Sequence, residues 1–369
     1  MKIIHCADIH ADSKFGTHFS KEEADQRRRE IAETFAGMIR FARENEVRAV
    51  IIAGDLFDTK ASQQKTIKKR ISYIISQNPD IDFLYLRGNH DEDVDFGADD
   101  SLPNLKFFSS EKWGCYSYGN VNIYGREFKK NIPLSTYSEL VLEADKINIV
   151  TLHGQIAEYK PKEGAPVISL PYLTNKNIDY LALGHIHDYK AARLDSRGVW
   201  CYSGCLEGRG FDETGEKGFV LLETDAVQTV ERKVCISSRF IPFAQRVIHE
   251  LDVPLSGTCT YREIMAAITG KLSSLPERDI VQIDLTGEIS EDTEIEVESY
   301  ESALKSDFNF CFLRIKDKTE TKIDFARYEN DVSLKGEFIR LVQAQEALAE
   351  EEKSKIIMTG IKALAGRLS

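Results

Sequence analysis

The 369-residue chain contains no apolar run approaching the roughly 20 residues of a membrane span, and no C-x-x-C pair. Its seven cysteines (Cys6, Cys115, Cys201, Cys205, Cys235, Cys259 and Cys311) are odd in number and scattered. They read as reduced thiols, neither a disulfide framework nor a zinc knuckle. Internal repeats and low-complexity tracts are also missing. The opening Met1-Lys2-Ile3-Ile4-His5-Cys6-Ala7-Asp8 turns polar too soon for a secretory leader and reads as a strand. The expectation is a cytoplasmic protein with no membrane attachment. Basic charge is not in excess either: the net charge of −12 argues against broad electrostatic attraction to nucleic acid. It does not exclude a nuclease, because a carboxylate-rich metal site is acidic until cations bind, and a partner can supply basic surface.

The length predicts about two domains with room for a tail. Apolar stretches at 2–7, 48–53, 81–86, 115–118, 121–124, 147–152, 178–183, 200–203 and 219–223 read as strands. Helical patterns lie at 22–45, 60–77 and 134–144. Such alternation predicts an α/β layer structure with a partly parallel sheet. The pattern changes near 235, where strands at 246–251, 280–285 and 310–315 and a helix at 261–272 predict a small α/β appendage. The stretch 294–304 is ambiguous. From Ser333 the pattern is helical, with Phe338, Ile339, Leu341, Val342 and Leu348 on one apolar stripe and Ile356, Ile357, Ile361 and Leu364 on another. This tail either packs on its own domain or forms a helical hairpin that docks a partner. The expected domains are 1–235, 236–330 and 331–369.

Five strand ends lead directly into metal-ligand residue types, and open α/β sheets build their sites outside the carboxyl ends of strands. The first is Asp8-Ile9-His10, where an extended backbone would aim both side chains at one face. The second is Gly54-Asp55-Leu56-Phe57-Asp58, in which the glycine permits a tight exit and the two oxygens of Asp55 can bridge two cations. The third, Gly88-Asn89-His90-Asp91, ends a buried run in a carbonyl oxygen and an imidazole. The fourth is Leu152-His153-Gly154, and the fifth Gly184-His185-Ile186-His187, whose histidines are again expected to share a face. Each motif alone is an ordinary turn, helix cap or satisfied polar group. Together they hold five of the eight histidines. Mixed His, Asp and Asn ligands suit Mn²⁺, Fe²⁺ or Zn²⁺ and favour Mg²⁺ less. A shared carboxylate implies two divalent ions about 3.5–4 Å apart.

In order, the five blocks D-x-H, G-D-x-x-D, G-N-H-D, H and G-H-x-H resemble the signature of the calcineurin-like metallophosphoesterases. The opening HCADIHADSKFG, residues 5–16, is similar to that of the DNA-repair exonucleases of the SbcD/Mre-eleven type, especially their YhaO-like branch. The resemblance implies a layered core of two sheets flanked by helices, a small α/β cap and a helical C-terminal tail. It implies that Asp8, His10, Asp55 and His187 hold one metal. Asp55, Asn89, His153 and His185 hold the other, with Asp55 as the bridge. His90 is then not a ligand; it faces the scissile phosphate and protonates the leaving oxygen, with Asp58 orienting it. Thr59 stands where protein Ser/Thr phosphatases usually carry Arg, and Asp91 where they often carry Glu, which favours the nucleases. Tyr202-Ser203-Gly204-Cys205 departs from the Pro-Gly-Ser usual near the end of this core.

The function so implied is a metal-dependent DNA nuclease, an exonuclease and secondarily an endonuclease, within an SbcCD-like repair complex. Its partners would be DNA and an SMC-like coiled-coil ATPase (SbcC-like) bound by the C-terminal helices, with homodimerisation through the core. Arg126, Arg209 and the Lys129-Lys130 pair are candidate phosphate contacts. The competing readings are a small-nucleotide or lipid-headgroup phosphodiesterase, and a non-catalytic adaptor for DNA or the ATPase.

Overall fold

The computed structural model describes residues 1–15, 20–58, 65–92, 94, 102–128, 132–157, 166–224 and 236–364. Thr59 and the Lys129-Lys130 pair lie outside the described residues. Two compact units are present, Met1–His249 with Arg278–Ile280, and Glu250–Glu277 with Val281–Ser369.

The first unit contains, in order, β1 (Lys2–Cys6), α1 (Lys21–Glu44), β2 (Val47–Ala53), α2 (Lys65–Ser76), β3 (Asp82–Leu86), β4 (Leu105–Phe107), β5 (Gly114–Tyr118), β6 (Val121–Gly125) and α3 (Leu134–Glu139). There follow β7 (Ile147–His153), β8 (Gln155–Ile156), β9 (Val167–Ile168), β10 (Tyr180–Gly184), β11 (Lys190–Arg193), β12 (Val199–Tyr202), β13 (Gly218–Thr224) and β14 (Ile236–Pro242). They build two six-stranded sheets, one ordered β14-β13-β1-β2-β3-β4 and the other β11-β12-β10-β7-β6-β5. Strands β1 to β4 run parallel, as do β6, β7, β10 and β12. The fold is therefore mixed α/β, as the alternating pattern predicts.

Hydrophobic pattern explains each layer. β2 (VRAVIIA) and β7 (INIVTLH) are almost wholly buried, as strands covered on both faces must be. Along β1, Ile3 faces a core shared with Ile51, Leu84, Ile123, Ile149 and Tyr180, which lies between the sheets. Ile4 and Cys6 face the opposite core, with Ile31, Phe35 and Met38 of α1. α1 starts at Ser20, whose side chain accepts from Glu23 N while Glu23 caps Ser20 N in return. α3 stops at Glu139, short of the predicted 144. Leu140 and Leu142 are buried on either side of exposed Val141, an alternation that favours extended chain. β14 pairs with β13 along its whole length, so the first sheet, and with it the first unit, continues beyond residue 235.

In the second unit β15 (Ile248–Pro254), β16 (Ile280–Thr286) and β18 (Phe312–Asp317) form a three-stranded sheet. Helices α4 (Tyr261–Leu272) and α5 (Val297–Asp307) share its core through Ile264, Ile268, Tyr300 and Leu304. The ambiguous stretch is thus mostly helix. β17 (Glu288–Ser290) pairs with β19 (Glu320–Lys322). Ser333 caps α6 (Leu334–Gln343), and α7 (Glu350–Leu364) follows. Ile339, Val342 and Ile357 of these helices pack with Ile323 and Tyr328, so the tail shares a core with its own unit. Among the described residues, no helix is long and apolar enough to cross a membrane.

Candidate metal centre

Every candidate metal ligand sits at the carboxyl end of a parallel strand in the first unit. Asp8 and His10 follow β1, Asp55 follows β2 and Asn89 follows β3; His153 closes β7, and His185 and His187 follow β10. The loops interlock. Asp8 N donates to Gly54 O and His10 N to Asp55 O, both at 3.0 Å, and Gly154 N donates to Gly184 O at 3.1 Å. Bonds also cross between the sheets. His185 N donates to the Asp8 carboxylate at 3.0 and 2.9 Å, and His153 Nδ1 donates to Ala53 O at 2.9 Å.

Three groups of ligand atoms result: Asp8, His10 and His187; Asp55, His153 and His185; and His10, Asp58 and His90. Within each group the atoms lie within 4.8 Å of one another. Asn89 joins the second, its Oδ1 3.0 Å from His153 Nε2. Oδ2 of Asp55 stands between the first two groups, 3.8 Å from His10 Nε2 and 3.4 Å from His153 Nε2.

The local backbone differs from the extended one expected. Asp8, His10, Asp55 and His185 have φ of 51°, 45°, 52° and 104°. This left-handed region costs non-glycine residues roughly 1–3 kcal/mol each and persists only where the surroundings enforce it. Asp8 and His10 therefore converge through a tight loop, not through strand alternation. His185 and His187 each join a different group. Two motif glycines make room: a Cβ on Gly88 would lie 2.1 Å from Asp55 Oδ1, and one on Gly54 (φ +97°) would lie 2.1 Å from His153 Nδ1.

His90 is the exposed member, its side chain 44% accessible, with Nδ1 3.0 Å from Asp58 Oδ1. Asp58 is itself held. Ser13 Oγ donates to its Oδ2 at 3.1 Å, His10 Nδ1 lies 3.3 Å from its Oδ1, and its backbone N donates to Asp12 Oδ1 at 2.5 Å. Asp91, fully buried, accepts from Gly88 N at 2.7 Å, Leu56 N at 2.8 Å and the Tyr85 hydroxyl, which ties the third motif to the second.

Behind His187 stands a residue that no motif announces. Glu213 Oε1 lies 2.6 Å from His187 Nδ1, and Arg209 Nη2 donates to the same oxygen at 2.7 Å. Lys217 Nζ donates to His187 O at 3.1 Å and to Asp188 Oδ1 at 2.8 Å. Of the two arginines expected at a phosphate, Arg209 is engaged with Glu213, while Arg126 pairs with Glu139 at 2.5 Å and lies over the Phe128 ring at 5.8 Å. Sequence offered no signal for Ser13, Asp12 or Glu213, because their roles depend on contacts across the fold.

The charges are arranged to welcome cations. Burial pushes the Asp8 carboxyl up, with nearby histidines opposing. Burial would do the same to Asp55, but His153 and His10 hold it well below the usual range. Burial lowers the basicity of His10. Burial opposes charge on His153 too, yet Asp55 overrides it and raises the pKa to about 10. The Asp58 carboxylate raises that of His90. Asp55 thus draws positive charge onto His153, while burial outweighs the acids around His10. His10 Nε2, buried and aimed near Asp55, has no hydrogen-bond partner among the described residues. Carboxylate, imidazole and amide oxygen donors with such an unspent nitrogen fit two divalent cations.

This is the kind of site a two-cation phosphoesterase requires. Residues 1–189, just over half of the chain, match the calcineurin-like phosphoesterase family, and the chain belongs to it. It is 26% identical over 254 residues to the DNA double-strand break repair protein Mre11 of Sulfurisphaera tokodaii, covering 64% of this chain and 63% of that protein. It is 24% identical over 300 residues to the protein of the same name from Methanosarcina acetivorans, covering 78% of this chain and 46% of that one. To the uncharacterized metallophosphoesterase YhaO of Bacillus subtilis it is 28% identical over 237 residues, covering 60% and 57%. The matches thus span about half to just under two thirds of these relatives' length.

Proposed function

We propose that the chain is a metal-dependent nuclease that hydrolyses phosphodiester bonds of DNA. The observation that carries this reading is the position of His90, exposed and backed by Asp58, beside two groups of mostly buried cation ligands. Asp8, His10, Asp55 and His187 would hold one cation and Asp55, Asn89, His153 and His185 the other. When bound, the two ions would supply a water of lowered pKa at neutral pH and neutralise the phosphate. The donor set favours Mn²⁺, with Fe²⁺ or Zn²⁺ as alternatives, over Mg²⁺.

The chain's own groups do the rest. Asp58 faces Nδ1 of His90 and favours the imidazolium, so Nε2–H is left to donate. As the P–O bond breaks, the leaving oxygen takes that proton, and the neutral imidazole regains one from solvent. The left-handed turns at Asp8, His10 and Asp55 hold the ligands close together before any cation arrives.

DNA as substrate is supported by the similarity to the Mre11 proteins, which are named for DNA double-strand break repair. A coiled-coil ATPase partner on the C-terminal helices is supported by exposed apolar side chains there, Leu334 and Leu341 on α6 and Ile356 and Leu364 on α7. The test is Mn²⁺-dependent cleavage of end-labelled linear DNA by wild type and His90→Asn, with bis-para-nitrophenyl phosphate alongside. DNA cleavage that the substitution abolishes is the expected result. Turnover of the small ester with no cleavage of DNA, even with a coiled-coil ATPase added, would replace this reading by a small-molecule phosphodiesterase.

A further inference from the structure

Arg209 occupies a position that the reaction scheme above leaves unexplained. Its guanidinium grips Glu213 through Nε, at 3.1 and 3.3 Å, and through Nη2, at 2.7 Å. Its backbone N also donates to Glu213 Oε2 at 2.7 Å. The remaining nitrogen, Nη1, lies 3.9 Å from Asp58 Oδ2. Glu213 faces His187, and Asp58 faces His90.

The chemistry of each contact follows from donors and acceptors. Glu213 is buried and gripped by the Arg209 guanidinium, the partner of an ionised carboxylate. An ionised carboxylate only accepts, so at 2.6 Å His187 Nδ1 carries the hydrogen and donates it. That leaves Nε2 of His187 as the nitrogen with a lone pair, the form a cation ligand must take. Arg209 Nη2 also lies 3.2 Å from His187 Nδ1, but a guanidinium has no acceptor, so their link is the shared Glu213 oxygen.

We propose that Arg209 is a positioning residue that ties the carboxylate behind His187 to the carboxylate behind His90, so that one guanidinium sets both a cation ligand and the proton donor. Its planar fork is directed at these two carboxylates, which sets it apart from a phosphate-binding arginine. The inference rests on the two-cation phosphodiesterase reading.

The test uses the full chain and four variants: Arg209→Lys, Arg209→Gln, His90→Asn and the double substitution Arg209→Lys with His90→Asn. Mn²⁺ binding is followed by the electron paramagnetic resonance of the free ion. Turnover is compared for bis-para-nitrophenyl phosphate and diphenyl phosphate, since the phenolate needs a proton more than the nitrophenolate does. In Arg209→Lys, one of two bound Mn²⁺ should weaken by about 10–100-fold while the other is unchanged. The ratio of nitrophenyl to phenyl kcat should rise toward that of His90→Asn, with KM little altered. Combining Arg209→Lys with His90→Asn should leave the ratio where His90→Asn alone puts it. Arg209→Gln should give the same pattern, more strongly.

A raised KM with wild-type Mn²⁺ binding and a wild-type ratio would make Arg209 a phosphate contact and overturn the proposal. Equal weakening of both ions together with a lowered Tm in both Arg209 variants would reduce it to a general support of the fold, which also overturns it. Failure of the underlying reading is separate: it appears in the wild type, as no Mn²⁺ binding and no turnover of either ester.

Discussion

Nδ1 of His90 lies 3.0 Å from Oδ1 of Asp58, and the same carboxylate oxygen is 3.3 Å from Nδ1 of His10. One carboxylate therefore orients both a candidate cation ligand and the exposed imidazole beside it. It can do so because four residues hold it from behind and beside: Ser13, Asp12, His10 and Arg209. The geometry leads to specific expectations for single substitutions.

His90→Asn should keep Mn²⁺ binding and lose proton donation. For esters with poor leaving groups kcat should fall by roughly 10²–10⁴, and for bis-para-nitrophenyl phosphate by much less. Steady-state kinetics on both classes, with metal content measured on the same samples, checks this. An equal loss on both would remove His90 from the role of acid.

Gly88→Ala would put a methyl group 2.1 Å from Asp55 Oδ1 and 2.8 Å from Asp55 N. The carboxylate common to the two ligand groups would have to move. The expected result is Mn²⁺ affinity weakened by about tenfold or more, with a stability loss of roughly 1–3 kcal/mol from overpacking. Calorimetric Mn²⁺ titration and urea unfolding would measure the two effects separately.

Asp91→Asn would replace an acceptor of four donors by an amide that turns an N–H toward at least one of them. The position is fully buried. A loss on the order of 1–3 kcal/mol is expected in urea unfolding, and Tyr85→Phe, which removes one donor cleanly, should cost less.

Glu30 provides a pH test away from the cation site. Burial would raise its pKa, but Arg246, Gln26 and Arg27 lower it from 4.5 to about 2. A depressed carboxyl contributes stability above its unfolded pKa and loses it as pH falls through the folded value. The contribution, on the order of 3 kcal/mol, should be complete above about pH 5 and vanish toward pH 2. Burial pushes its network neighbour Glu207 the other way, so wild type alone would blur the effect. The difference between wild type and Glu30→Gln in urea midpoint should shrink from about pH 6 to about pH 3.5.

Much of this protein is local and therefore legible in its sequence. The apolar runs that became β1, β2, β3, β7 and β10 are continuous in the chain, and each runs into its polar residues within a few positions. Strand ends, ligand types and the order of the five motifs need no knowledge of contacts, and neither does the α/β class that follows from alternating elements. Helix 261–272 is as local as these strands, and the structure starts it at a capping box between Thr260 and Glu263.

What the chain order could not decide is which residues meet. His185 and His187 are two apart yet join different groups, and the backbone at His185 is left-handed rather than extended. His185 N instead reaches the Asp8 carboxylate, 177 positions away. Glu213 behind His187 and Ser13 behind Asp58 are unremarkable in sequence and acquire a purpose only when the sheets bring their loops together. Side-chain identity sets what a residue can donate or accept. Only tertiary packing supplies the neighbour, the burial that makes an unpaired charge costly, and the enforced backbone turns that hold the ligands close enough to share a cation.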